Sequence, residues 1–293
     1  MDLTNKTIVI TGATAGIGFQ TALEAASAGA FVIGVGRNPQ RCEDARQKII
    51  SQAPNAKIVY LTADLVSQEQ IHRLAEQIQQ TLAEHTFTTL DVLVNNAGMY
   101  MGKKVFTEDG IETTFAVNHL APFLLTHLLL PLLSKSPSGR VITVSSDSHY
   151  NTSFIAERAK NPRFFFGLTA YKVSKLSNIL FSYEFNRLHA GESIHAFAVD
   201  PGLVNTEIGM KETGGLAKMV WRSRKNLGIS PAVPSKTILF LASEPDVTAS
   251  PAVYWHLCKP KQPSRNATSP GLAKRLWIES CKLTDLVLTE GDK

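Results

Sequence analysis

Tyr171 and Lys175 stand four residues apart in the run Tyr171-Lys172-Val173-Ser174-Lys175. On a helix that spacing brings both side chains to one face. A phenol beside an ammonium is a workable proton donor and acceptor, because the cation favours the phenolate and draws a too-basic tyrosine toward neutral pH. Such a pair also arises by chance on solvated helix faces. Its meaning depends on what the other elements place around it.

The 293-residue chain has an ordinary globular composition, 44% hydrophobic and 19% charged, which excludes a disordered or fibrous protein. Cys42, Cys258 and Cys281 are odd in number, far apart and without a CxxC pair, so neither a disulfide framework nor a structural zinc site is expected, and no metal is assigned. A reducing, cytoplasmic setting fits. The opening Met-Asp-Leu-Thr-Asn-Lys enters an apolar strand pattern at once, without the regions of a signal peptide. The apolar stretch 121–133 is too short for a membrane span and is interrupted by His127 and Pro131. The net charge of +5 is modest, and Lys259, Lys261 and Arg265, set among prolines, read as a solvated loop rather than a nucleic-acid or membrane patch.

Apolar β-rich runs at 7–10, 31–35, 57–61, 92–94, 141–144, 195–199 and 252–255 alternate with helical patterns at 17–28, 39–52, 68–84, 110–133, 171–189, 231–243 and 272–283. That alternation predicts an α/β fold, a doubly wound seven-stranded parallel sheet of Rossmann type in three layers. No linker interrupts it, so residues 1–293 read as a single dinucleotide-binding domain, with a stretch at about 207–230 and a C-terminal extension at about 257–293.

Ligands of such sheets bind beyond the carboxyl ends of the strands, so the turns there are the candidates. After the first strand, Gly12, Gly16 and Gly18 allow a tight turn and close approach to a pyrophosphate at the next helix N-terminus. Their GxxxGxG spacing differs from the usual GxGxxG. At the second strand end Gly36 takes the position where an acid would select NAD. Arg37 follows it and either accommodates a 2′-phosphate, favouring NADP, or faces solvent. Asp64 either accepts from an adenine amino group, with the Leu65 amide beside it, or caps the next helix. Asn95-Asn96-Ala97-Gly98 is small and polar where a cofactor must cross the sheet. Ser145-Ser146-Asp147 puts a hydroxyl in the cleft of Tyr171, where it could donate to a carbonyl oxygen. Pro201-Gly202 ends the sixth strand, and Thr206 could hold the nicotinamide. Glycines and Met210, Met219 and Trp221 within 207–230 suit either a mobile lid over an apolar substrate or a helix packed on the core.

In this order, TGxxxGxG, Asp64, NNAG, an Asn in the next helix, Ser and YxxxK resemble the short-chain dehydrogenases/reductases along essentially the whole chain. The chain is most similar to the retinol dehydrogenase and WW-domain-containing oxidoreductase group. Arg37, the run 171–178 and the C-terminal Cys-Lys-Pro-Lys-Gln-Pro-Ser followed by Leu-Ala-Lys-Arg-Leu-Trp carry that likeness. The resemblance implies a catalytic tetrad of Asn118, Ser146, Tyr171 and Lys175, with Asn118 opening its helix and holding a water on the proton path. It implies a nicotinamide dinucleotide, NADP(H) by Arg37. The implied cofactor contacts are Gly12, Thr14, Gly16, Ile17, Gly18, Arg37, Asn38, Asp64, Leu65, Asn95, Ala97, Gly98, Tyr171, Lys175, Pro201, Gly202, Val204 and Thr206.

The chain departs from the plainest family pattern in the 24 residues between Ser146 and Tyr171, which carry Arg163-Phe-Phe-Phe166 and either wall a substrate pocket or pack on the surface. The expected activity is hydride transfer between NADP(H) and a carbonyl or alcohol on an apolar, retinoid-, lipid-aldehyde- or steroid-like substrate. Peripheral membrane association and homo-oligomer formation are left open. A non-catalytic NADP(H)-binding sensor or scaffold on the same fold is the rival reading, and it predicts a damaged tetrad.

Overall fold

The structure, a computed structural model, describes residues 1–155, 160–204 and 228–287. Its strands are β1 Thr7–Thr11, β2 Phe31–Gly36, β3 Lys57–Thr62, β4 Val92–Asn95, β5 Gly139–Val144, β6 Ile194–Val199, β7 Tyr254–His256 and β8 Lys259–Pro260, in the order β3-β2-β1-β4-β5-β6-β7-β8. The first seven pair in parallel, as the alternating pattern predicts. The strand order reverses between β1 and β4, which opens a crevice at their carboxyl ends.

The eighth strand departs from the expectation of seven. β8 turns back on β7 in antiparallel pairing through Leu257 and Cys258, whose φ angles are 49° and 59°. Two positive φ values are what a tight two-residue hairpin needs, but neither residue is the Gly or Asn that announces such a turn in a sequence. Pro260 hid the strand further.

The parallel strands carry side chains buried on both faces. Val9 of β1 joins one apolar layer with Phe31, Leu93, Phe123 and Trp277, while Ile8 and Ile10 join the opposite layer with Val32, Ile142 and Trp255. The two-residue strand period produces this division, and near-continuous apolar runs are its sequence trace. Helices α1 Gly16–Ser27, α2 Pro39–Gln52 and α3 Gln68–Glu84 follow the first three strands. Asn38 caps α2 by accepting from the Arg41 N–H, and Ser67 caps α3 by accepting from the Gln70 N–H. At α1 no side-chain cap is made.

Helix α4 runs over Thr113–Leu133. It begins later than the expected 110 because the buried Glu112 carboxylate caps it, accepting from the Thr114 and Phe115 N–H groups at 2.9 Å each. It is apolar and long enough to cross a membrane, yet 72% of its apolar window is buried inside the fold, as in a core helix. Residues Ala116–Leu120 form a π-turn in which the Ala121 N–H reaches Ala116 O. Pro122 lacks the N–H that would otherwise bond to the Asn118 carbonyl, so the helix loosens there. Helix α5 spans Gly167–Leu188, one turn earlier than expected, which sets Tyr171 inside the helix rather than at its start. α6 Ala232–Ser243 and the C-terminal α7 Pro270–Leu283 complete the layers.

Candidate active site

Three strand ends converge on α5. Lys175 is 2% exposed and donates from Nζ to the Val144 carbonyl at the end of β5, at 2.9 Å. The same ammonium lies 5.5 Å from the centroid of the Tyr171 ring. The helical spacing therefore delivers the pair as expected, but the electrostatics differ. Burial pushes the Tyr171 phenol up to about 12, with the Asp200 carboxylate adding to the rise and Ser146 opposing it. Burial also pushes Lys175 down to about 8. Desolvation is the largest cause for both groups, since Tyr171 is only 8% and Lys175 2% exposed, and the ammonium is turned toward Val144. The expected lowering of the phenol by the cation does not hold in this structure. A phenol raised in this way stays protonated at neutral pH.

The two adjacent serines have different surroundings. Ser145 Oγ is buried and donates to the Lys175 carbonyl at 2.7 Å, which fastens α5 to β5. Ser146 Oγ lies against the Tyr171 phenol, and it accepts from the Ser148 N–H at 3.1 Å. The structure thus separates a tethering hydroxyl from the one in the cleft. Asn118, at the π-turn, accepts from the Met99 N–H at 2.7 Å and donates to Met99 O at 2.9 Å and Ser174 Oγ at 3.0 Å. Its amide joins the turn after β4 to α5, a link between distant segments that no local pattern encodes.

The glycine turn is built against the turn after β4. Gly12 and Gly16 have φ of 67° and 57°, and a Cβ on Gly18 would fall 2.4 Å from both Gly12 O and Asn96 Nδ2. Glycine is therefore required for conformation at the first two and for close approach at the third. Thr11 Oγ1 accepts from the Asn96 and Ala97 N–H groups at 3.0 Å each, and Asn96 Nδ2 donates to Thr11 O at 2.8 Å. Thr11 and Asn96 enter the sequence reading only as members of the TGxxxGxG and NNAG motifs, with no role of their own; the reversal of strand order that sets β4 beside β1 is the signal that could have given them one. Asn95 is turned inward, its amide donating to Thr126 Oγ1 at 3.2 Å, so that side chain does not face the cleft.

At the adjoining end of β2 a Cβ on Gly36 would meet Thr14 Cγ2 at 2.5 Å and Cys42 Sγ at 2.7 Å, so no acid fits there. Arg37 is exposed, with one guanidinium nitrogen 3.9 Å from Asp64 Oδ2. Asp64 also accepts from the Val66 N–H at 3.2 Å, while Ser67, not Asp64, caps α3. Asn38 spends its side-chain oxygen on capping α2. Leu65 is half-buried beside Asp64, and Ile17 is buried in the first turn of α1. Gly202, at φ 72°, follows Pro201, and Val204 makes an isolated parallel bridge to Ile229. Thr206 and the expected lid at 207–227 lie outside the described residues, as do 156–159 of the insertion. In the insertion's described part Phe154 is buried against Phe115, whereas Phe164 and Phe166 are 74% and 69% exposed.

The uncapped N-terminus of α1, glycines held at positive φ and a crevice at the point where strand order reverses fit a dinucleotide. Comparison with known proteins agrees. A short chain dehydrogenase family model matches residues 6–216. Mouse retinol dehydrogenase 12 is 35% identical over 97% of this chain and 87% of its own length. A solved protein from Mycobacterium Paratuberculosis superposes with a TM-score of 0.74 at 30% identity, covering 97% of this chain and 95% of that one. A short chain dehydrogenase from Escherichia coli CFT073, solved with NADPH, shares the fold at a TM-score of 0.64 and 22% identity, over 83% of this chain and 92% of that one. With its retinol dehydrogenase relative, its strand order and its glycine turn all agreeing, this chain belongs to the short-chain dehydrogenase/reductase family of oxidoreductases.

Proposed function

We propose that the protein is an NADP(H)-dependent reductase that transfers a hydride between the nicotinamide and a carbonyl or alcohol carbon of an apolar, retinoid- or lipid-aldehyde-like substrate. The observation that carries this reading is the buried Tyr171 phenol, set between the Ser146 hydroxyl and the Lys175 ammonium at the carboxyl edge of the sheet. The nicotinamide, when bound, supplies or accepts the hydride.

This chain's own residues would do the remainder. Ser146 Oγ orients the substrate oxygen, and Tyr171 donates its proton to that oxygen as it gains charge. A phenol pushed up to about 12 stays protonated at neutral pH, which suits the reducing direction. Lys175 holds positive charge beneath the phenol, and Asn118 fixes the turn at Met99 against α5. The glycine turn and the first N–H groups of α1 take the pyrophosphate, with Thr14, Ile17, Ala97, Gly98, Pro201, Gly202 and Val204 around the dinucleotide. Arg37, exposed at a strand end too crowded for an acid, takes the 2′-phosphate. The named likeness to a retinol dehydrogenase and the NADPH held by a fold relative support substrate class and cofactor.

The test is NADPH oxidation against retinal, medium-chain aldehydes, steroids and quinones, by wild type and Tyr171→Phe. The variant should lose about 10³-fold in turnover and bind NADPH nearly as before. Turnover at the wild-type rate in Tyr171→Phe would overturn the assignment.

A further inference from the structure

The segment after β7 carries a cation that the chemistry above does not use. Lys261 Nζ lies 2.6 Å from Asp147 Oδ2 and 2.7 Å from Asp200 Oδ2. Asp147 directly follows Ser146 at the end of β5. Asp200 directly follows β6, and its side chain is only 2% exposed. The remaining capacity of both carboxylates is taken up nearby. Tyr254 donates its hydroxyl to Asp147 Oδ1 at 3.1 Å, the Gly202 N–H donates to Asp200 Oδ1 at 3.0 Å, and His256 Nδ1 stands 3.3 Å from Asp200 Oδ2. Lysine 261 is thus no solvated loop residue, as its proline-rich surroundings suggest, but the bridge between two strand-end turns of the cleft.

The bridge is held in place by further bonds between the same two segments. The Ser264 N–H donates to His149 Nε2 at 3.0 Å, so His149 must donate from Nδ1 to Ser146 O, 2.8 Å away. Asn266 donates to Thr152 O at 2.8 Å, and the Tyr150 hydroxyl donates to Gln262 O. A lysine fixed this firmly between two carboxylates is costly to remove, because it would leave the buried Asp200 charge without its ammonium.

We propose that Lys261 is a positioning residue of the active site: its ammonium fastens the Ser146 turn to the Pro201–Gly202 turn and sets the charge balance beside Tyr171. The inference rests on the reading of Tyr171 as the proton donor. Two charged groups act on the surroundings of the phenol: Lys175, with its ammonium 5.5 Å from the ring centroid, and Asp200 at the end of β6, whose charge raises the phenol. Lys261 and Asp147 stand behind Asp200, and His256 on its other side. Burial pushes the His149 pKa down, and the Tyr100 ring centroid lies 6.2 Å from that of Tyr171. The Asp200 carboxylate opposes ionisation of the phenol; Lys261, 2.7 Å from Asp200 Oδ2, would moderate that opposition by neutralising the carboxylate.

Two substitutions should then act with opposite sign. Lys261→Met leaves the carboxylates unbalanced and should make the phenol harder to ionise. Asp200→Asn leaves Lys261 with Asp147 alone and should make it easier. The phenolate absorbance of Tyr171, isolated as the difference from Tyr171→Phe, reads this without any substrate. At a fixed pH below the midpoint the ionised fraction should fall about tenfold in Lys261→Met and rise about tenfold in Asp200→Asn, a shift of about one unit each way. Lys261→Arg should restore the wild-type value. The pH profile of all-trans-retinol oxidation by NADP⁺ should move its rising limb in the same two directions. Shifts of one sign, or none in Asp200→Asn, would reduce Lys261 to a structural strap and overturn the proposal; Asp200→Asn keeps the test open should Lys261→Met fail to fold. Full turnover in Tyr171→Phe would instead sink the functional reading, and the absorbance shifts would still judge this one.

Discussion

Asp91 at the amino end of the parallel sheet and the Tyr171–Lys175 pair at its carboxyl end are buried polar groups handled in opposite ways. At the amino end, between β1 and β4, the Asp91 carboxylate is saturated: Oδ2 accepts from the Thr7 N–H at 2.9 Å and the Thr7 hydroxyl at 3.1 Å, and Oδ1 accepts from Ser136 Oγ at 2.7 Å and Lys6 Nζ at 3.3 Å. Every charge there has partners within the scaffold, which is the arrangement of a group retained for stability. At the carboxyl end a lysine and a tyrosine are buried under conditions that move both from their ordinary pKa values, and the helix N-terminus nearest the glycine turn has no side-chain cap. Groups whose proton affinities burial has shifted in this way are candidates for proton transfer. In the function proposed above, the same sheet supplies rigidity at one end and chemistry at the other.

Lys175→Met should break the contrast most sharply. Turnover should fall about 10²–10⁴-fold, the range for loss of a group acting in proton transfer. Thermal stability at pH 7 should rise, by about 2 kcal/mol, because a buried ammonium is removed, with the exposed need of the Val144 carbonyl offsetting part of the gain. The sign follows from titration: the folded chain holds Lys175 at about 8 against its usual 10.5, so the unfolded chain binds more protons between these values. Wild-type stability therefore rises from pH 8 toward 10.5, and the advantage of the variant should vanish over that window. Denaturant unfolding at pH 7, 9 and 10.5 measures it; a variant less stable than wild type at pH 7 would contradict the contrast.

Asp91→Ala addresses the other end. It strands the Thr7 and Ser136 donors and should cost about 3 kcal/mol of stability, with turnover per folded molecule unchanged. A loss of turnover at a temperature where the variant is fully folded would show that the two ends are not independent. The smallest effect is expected at Arg37, 66% exposed on its side chain. Arg37→Ala should raise the KM for NADPH about tenfold and leave that for NADH nearly unchanged. Equal losses for both cofactors would remove the 2′-phosphate assignment and leave Arg37 as a solvent-facing partner of Asp64.

The legible part of this protein was whatever depends on short stretches of chain. The pairing of Tyr171 with Lys175 follows from a helical turn, the glycine turn from its place between a strand and a helix, and the strands from apolar runs buried on both faces. Arg37 and Gly36 were legible as types, although only the collision of a Cβ with Thr14 and Cys42 explains why the acid position must be glycine. What the sequence concealed lies between segments far apart in the chain. The split of duties between Ser145 and Ser146 depends on the Lys175 carbonyl, 30 residues away. The placement of Lys261 depends on a hairpin whose turn residues give no signal, and on two carboxylates at the ends of different strands.

The sequence by itself determined the periodicities, the strand-end chemistry and the family. The tertiary structure alone decided the proton affinities. Lys175 and Tyr171 are neighbours by helix geometry in any environment, but whether the cation lowers the phenol depends on how much water the fold removes from both. Here burial prevails and holds the phenol near 12. Desolvation is set by the whole surrounding core, and no local pattern of residues contains it.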